Sequence, residues 1–400
     1  MDDVHGVGMA GPLGPYARGF AAELARLGFT GGSARKQMGL AAHLSRWLCD
    51  AGLGVADLAI PVVSAFLVAR RAAYRDLLTA KALVPLLGYL RGLGVAPQPE
   101  SPVPQTVAAV LLEGYRGWLL TERGLEVKVA RGYVDLVGSF VAVHAVGGEA
   151  GLRELSAGDV TAFMIAQSRR LAPKTVQRLA SALRSLLRFW HVQGLIGGPL
   201  DQAVPKVANR PPGLPQPLQP SQVAALMASC DQATAAGRRD LAMLTLLARM
   251  GLRAGEVAGL GLDDINWRRG EITIRGKGNR LDALPLPADV GEAIASYLRD
   301  GRPATALDRS VFTRIRAPHQ GLTPVGVTQA VAAAARRAGL GVIYAHRLRH
   351  SAATSILTGG GCLAEIGQVL RHRRSSTTAA YTKVDIEALR ALSRPWPGAS

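Results

Sequence analysis

Four short segments in the C-terminal half of the chain hold side chains that can work on a phosphodiester. Arg253 and Glu256 stand in Leu252-Arg253-Ala254-Gly255-Glu256-Val257. Lys277 lies in the turn-forming run Gly276-Lys277-Gly278-Asn279. His346, Arg349 and His350 fall in Ala345-His346-Arg347-Leu348-Arg349-His350. The fourth segment is Leu370-Arg371-His372, with Tyr381 nine residues after His372. Two guanidiniums can fork onto the non-bridging oxygens of a phosphate through paired N–H groups. Those oxygens gain charge in a trigonal-bipyramidal transition state, where donors already in place have the largest effect. His346 and Arg349, three residues apart, share one helix face, and histidine passes a proton near neutral pH. A lysine on a hairpin tip can reach a leaving oxygen, and a tyrosine hydroxyl is a covalent nucleophile once its proton has an acceptor. His346 and His350 have the spacing of a helical metal pair. Arg347, however, stands where His-Glu-x-x-His has its general base, so a metal is not expected.

The elements that must position these groups are legible in pattern. Pro220–Cys230 and Arg238–Met250 read as helices. Glu271-Ile272-Thr273-Ile274 alternates like a strand and Leu281–Leu286 can return beside it, with Lys277 at the turn. Helices resume at Ala288–Arg299, Pro324–Ala338, Ala345–Leu357 and Leu363–Leu370. The fold class is therefore mainly α, with a small antiparallel β-sheet or hairpin in residues 220–400. Two proline clusters divide the chain. Pro97, Pro99, Pro102 and Pro104 mark one linker. The stretch 199–219, with seven prolines to Pro220 if Pro199 is included, marks a second and extended one. The bodies are 1–96, 106–198 and 220–400.

The first two bodies read as degenerate copies of one helical unit. Tyr16 answers Tyr115, Ala34-Arg35 answers Ala130-Arg131, and Ser64-Ala65-Phe66 answers Thr161-Ala162-Phe163. Leu83, Leu86, Leu87, Tyr89 and Gly94 answer Leu183, Leu186, Leu187, Phe189 and Gly194, at an offset of 96 to 100 residues throughout. In the second body Lys128, Arg131, Lys174, Thr175 and Arg178 are candidate DNA contacts. Lys174 and Thr175 follow Pro173 at a helix start, where free N–H groups favour a phosphate. Arg184 and Arg188 belong to the same basic set.

Composition fits that chemistry. Across 400 residues, 47 Lys and Arg face 29 Asp and Glu, for a net charge of +18 and a pI near 10.7. Such an excess points to a polyanion, most simply nucleic acid. Hydrophobic residues make up 48%, enough for sizeable cores and against wholesale disorder. No apolar run reaches the roughly 20 residues of a membrane span, and the N-terminus has no secretory pattern. Cys49, Cys230 and Cys362 lie far apart, which fits a reducing, cytoplasmic setting rather than a disulfide framework.

Taken together and in this order, the four segments resemble the tyrosine recombinase (phage integrase) family. The match to its motifs covers about 220–390 and extends more weakly to 106–198, which is similar to the family's helical core-binding domain. The resemblance implies a bacterial, DNA-associated enzyme that cleaves and rejoins DNA at specific sites through a 3′-phosphotyrosyl intermediate, without cofactor. Tyr381 would be the nucleophile, Arg253 and Arg349 would hold the non-bridging oxygens, and His372 would add a donor. Lys277 would protonate the leaving oxygen and His346 would assist the tyrosine, while Glu256 and His350 support their neighbours. The partners implied are double-stranded DNA and further copies of the chain, as a synaptic tetramer, with sibling recombinases or accessory proteins. The role implied is integration, excision or transposition of a mobile element. A C-terminal tail, 385–392, would dock in cis or on a neighbouring protomer. The family usually has glycine before the late histidine. Arg371 stands there instead, so the local turn or the placement of His372 is expected to differ. Two rival readings keep the same residues: a type IB topoisomerase-like enzyme, and an accessory DNA-binding subunit with little activity.

Overall fold

The computed structural model describes residues 8–99, 106–208, 217–276 and 280–371. The chain divides into two compact units, Glu100–Pro212 and a second formed by Met1–Pro99 together with Gly213–Ser400.

The N-terminal part of the larger unit holds α1 (Ala17–Arg26), α2 (Gly31–Asp50), α3 (Ile60–Ala73) and α4 (Ala80–Gly92). Thr30 caps α2 by accepting from the Ser33 N–H, which satisfies one of the first-turn donors. Phe20, Leu24, Leu44, Phe66, Leu83 and Leu87 form its core.

The smaller unit is α5 (Val107–Thr121), α6 (Val127–His144), α7 (Gly148–Arg153), α8 (Ala157–Ser168) and α9 (Pro173–Val192). Pro173 opens α9 at a position whose N–H is not needed. Tyr115, Phe140, Leu183, Leu187 and Trp190 are buried at its centre. Gly94 and Gly194 close α4 and α9 in the same way. Each is left-handed, at φ +73° and +69°, and in each case the following residue donates to the carbonyl five positions back, Val95 to Leu90 and Leu195 to Trp190. The stretch after α9 departs from the extended linker expected from residue 199. Leu200–Ala203 makes a 3₁₀ turn, Val204 is buried in the unit's core, and Arg184 donates to the Val204 and Pro205 carbonyls at 3.0 and 2.8 Å. Here apolar burial outweighs the proline signal.

The C-terminal part of the larger unit follows the expected helix and strand order: α10 (Pro220–Ala228), α11 (Ala235–Arg249), α12 (Ala254–Ala258), α13 (Ala288–Asp300), α14 (Pro324–Arg337), α15 (Ala345–Thr358) and α16 (Leu363–Val369). Strands β1 (Ile265–Asn266), β2 (Glu271–Arg275) and β3 (Leu281–Pro285) form one antiparallel sheet in that order. Ile272 and Ile274 point from β2 into the core, each contributing roughly 1.5–3 kcal/mol by burial. Arg275 pairs with Leu281 at the end of the ladder nearest the connection between the two strands, and the Gly276 N–H donates to the Arg280 carbonyl at 2.8 Å. Helix α11 packs against both α13 and α15. The Leu218 N–H donates to Ser351 Oγ at 2.7 Å, which fixes the start of this part to α15. Two elements escaped the sequence reading, α12 and β1. Both are too short to show a period.

The turn after α11 depends on Gly251. It lies at φ +59°, and a Cβ there would come within 2.6 Å of Leu370 Cδ2 and 3.5 Å of Ala352 Cβ. Leu370 is fully buried and has little room to yield. Gly251→Ala is expected to lower stability by about 1–3 kcal/mol, read as a lower urea midpoint. An unchanged midpoint would refute this account of the turn.

Candidate functional site

The site is assembled where the turn after α11, the start of α12, helix α15 and the end of α16 meet. Arg253 is the N-cap of α12. Glu256, three residues on, returns to it twice: Oε2 accepts from the Arg253 backbone N–H at 2.8 Å and Oε1 from Arg253 Nη1 at 2.7 Å. One carboxylate thus caps the helix and holds the guanidinium. The Arg253 side chain keeps 42% of its surface exposed, against 5% for Glu256.

Arg349 comes from the middle of α15 and is buried. Its Nη1 donates to the Gly251 carbonyl and its Nη2 to the Leu370 carbonyl. The fork that sequence reasoning aimed at a phosphate therefore spends two of its five N–H groups on backbone. It clasps the turn before Arg253 to the end of α16. His346 is exposed and His350 half-buried on the same helix. Their rings lie 4.2 Å apart, edge to face. Among the described residues no cluster of His, Cys, Asp and Glu is arranged to hold a metal ion.

Arg371 sits at the other end of this arrangement. Its backbone is left-handed, at φ +52°, the conformation a glycine takes freely and another residue takes at about 1–2 kcal/mol. Arg371 Nη2 donates to Glu256 Oε2 at 2.6 Å, and its side chain is only 9% exposed. Burial, partly offset by the Glu256 carboxylate, pulls the guanidinium below its ordinary pKa. Two arginines therefore share Glu256, one on each oxygen, and Arg349 ties the segments that carry them. No signal in the sequence marks the carbonyl partners of Arg349. The departure from glycine at 371 flagged that position without revealing its pairing to Glu256. Lys277, His372, Tyr381 and the tail 385–392 lie outside the described residues.

The candidate DNA contacts lie on the smaller unit. Lys128 and Arg131 are exposed at the start of α6. Lys174 and Arg178 are exposed and Thr175 half-buried at the start of α9. Arg178 Nη2 lies 3.6 Å from where a Cβ on Gly132 would be, so α6 and α9 bring their basic residues together. Arg184 and Arg188 are engaged in the fold, Arg188 with Asp201 at 2.9 Å.

Residues 216–387 match the phage integrase family. The chain is 39% identical to the integrase/recombinase-like protein y4rA of Sinorhizobium fredii, over 97% of this chain and 95% of that protein. It is 32% identical to the tyrosine recombinase XerD of Listeria monocytogenes, over 68% of this chain and 94% of that protein. Among solved structures, a lambda integrase tetramer bound to a Holliday junction superposes with a TM-score of 0.53 at 13% identity, over 76% of this chain and 87% of that one. At that identity the superposition establishes the fold alone. The sequence identity to XerD over nearly its whole length carries the assignment, and the chain belongs to the phage integrase family of tyrosine recombinases, enzymes of site-specific DNA recombination that cleave and rejoin DNA.

Proposed function

We propose that this recombinase works through a covalent 3′-phosphotyrosyl intermediate, with Tyr381 as nucleophile, for integration, excision or transposition of a mobile element. The observation that carries the reading is Arg253, half-exposed yet fixed by Glu256 at the start of α12. It is a preorganised guanidinium that an incoming phosphate can reach. Arg253 forks onto the non-bridging oxygens, and Arg349 holds the walls of the pocket and adds its charge. His372 supplies a further donor. Tyr381 Oη attacks phosphorus, its proton leaving with help from His346. The bond to the 5′-oxygen breaks, and Lys277 protonates that oxygen. The new ester conserves the energy of the old, so a 5′-hydroxyl from a partner strand reverses the step.

The smaller unit, with 106–198 as a core-binding domain, grips the duplex through Lys128, Arg131, Lys174, Thr175 and Arg178. The 1–96 body is a duplicate of the same unit. The solved lambda integrase is a tetramer on a Holliday junction, and we extend DNA binding and tetramer formation to this chain. The test is a nicked duplex made from DNA flanking the gene, incubated with the protein and run on a denaturing gel. A covalent protein–DNA band is the expected result. Salt-sensitive binding with no band on any duplex would favour the accessory-subunit reading.

A further inference from the structure

Arg371 does two things that arginine ordinarily avoids. It occupies a left-handed backbone position without being glycine, asparagine or aspartate. It also buries a cationic side chain, 9% exposed, whose Nε and Nη1 have no hydrogen-bond partner among the described residues. Of the Arg371 donors, Glu256 accepts from Nη2 alone. Buried donors without acceptors are rare in folded chains and carry a free-energy penalty. Strained backbone and unsatisfied polar groups in one residue point toward function rather than packing.

The surroundings say what the missing acceptor is. Arg253 and Arg371 flank one carboxylate, and Arg349 lies buried between the segments that carry them. The three guanidiniums outnumber the two carboxylates that act on Arg371, Glu256 and Asp282, and Arg349 and Arg371 are desolvated, so positive charge is in excess. The ligand that completes it is an anion with several oxygens. A neutral acceptor would leave that charge uncompensated.

We propose that Arg371 is a phosphate-binding residue of the cleavage site, donating Nη1–H to a non-bridging oxygen of the same phosphate that Arg253 holds. This rests on the strand-cleavage reading above and adds to it a contact supplied by a residue where the family usually has glycine. Glu256 then has a second task. By accepting from Nη2 it fixes the Arg371 guanidinium so that Nη1 is presented to the anion.

The experiment compares wild type, Arg371→Gly and Arg371→Lys on a nicked duplex whose scissile phosphate is either natural or one of the two phosphorothioate diastereomers, with sulfur at one non-bridging oxygen. Adduct formation is timed under single-turnover conditions. Wild type is expected to be slowed by sulfur in the diastereomer that Arg371 contacts. Arg371→Gly is expected to slow the natural substrate by about 10²-fold and to lose most of that sulfur effect, because the contact is already gone. Arg371→Lys, which retains a charge, should fall between. Glycine accepts the left-handed backbone, and thermal melting checks that the variant is folded. If it is not, the lysine variant carries the same sulfur comparison. Wild-type rates in Arg371→Gly would overturn the inference. So would slowing with both sulfur effects intact, which would assign Arg371 a structural role only. A wild type that binds duplex but forms no adduct would overturn the strand-cleavage reading itself, and this inference with it.

Discussion

A Tyr381→Phe variant is expected to form no covalent protein–DNA adduct, a loss of 10⁴-fold or more, on the order expected when a nucleophile is removed. Phenylalanine keeps the ring and removes only the oxygen that would bond to phosphorus. No water or neighbouring side chain restores that bond to protein. The basic residues proposed to grip a duplex are untouched, so affinity and its salt dependence should match wild type. The check is the nicked-duplex gel alongside a binding titration at two salt concentrations. An adduct in the Phe variant would show that another side chain is the nucleophile. Equal loss of adduct and of binding would place Tyr381 in the duplex grip instead.

The second large effect is on stability. Arg349→Ala is expected to destabilise the C-terminal part of the larger unit by about 4 kcal/mol. Two charge-assisted hydrogen bonds are lost, worth roughly 1.5–3 kcal/mol each, and the Gly251 and Leu370 carbonyls lose their donor. For a body of this size the melting midpoint should fall by roughly 10 °C. Arg253→Ala makes the contrast. Its side chain is 42% exposed, and its ion pair with Glu256 should be worth less than about 1 kcal/mol to stability, while cleavage still collapses. Activity assays alone would score the two variants alike, and melting separates them. Equal midpoints for Arg349→Ala and wild type would refute the clasp.

Much of this was legible in the sequence because it rests on local chemistry. The alternation of Ile272 and Ile274 around Thr273 marks a half-buried strand, and the Gly276–Asn279 run marks its turn. Pro173 and Pro324 each announce a helix start. What stayed hidden depends on distant parts of the chain. Helix α12 has five residues, and its reason for existing is the Glu256 cap rather than an apolar stripe. The packing of Val204 against the smaller unit overrides the prolines around it. Arg349 reads as a surface-reaching fork in Ala345–His350. Its burial follows from Gly251, 98 residues earlier, and Leu370, 21 later. Arg371 draws attention only by replacing a glycine, and its ion pair spans 115 residues.

The clasp also bears on how such a site can change over time. Both acceptors of Arg349 are main-chain carbonyls, a group that every amino acid carries. The bond is therefore blind to which side chain occupies position 370 or 371. Gly251 is held to its identity by its backbone angle and the closeness of Leu370, not by the hydrogen bond. Substitutions can accumulate at the end of α16 without unfastening it from the turn before Arg253. A glycine can give way to an arginine there with the scaffold already secured. On the proposed cleavage reading, the part of the site nearest the phosphate is then the part freest to acquire new donors.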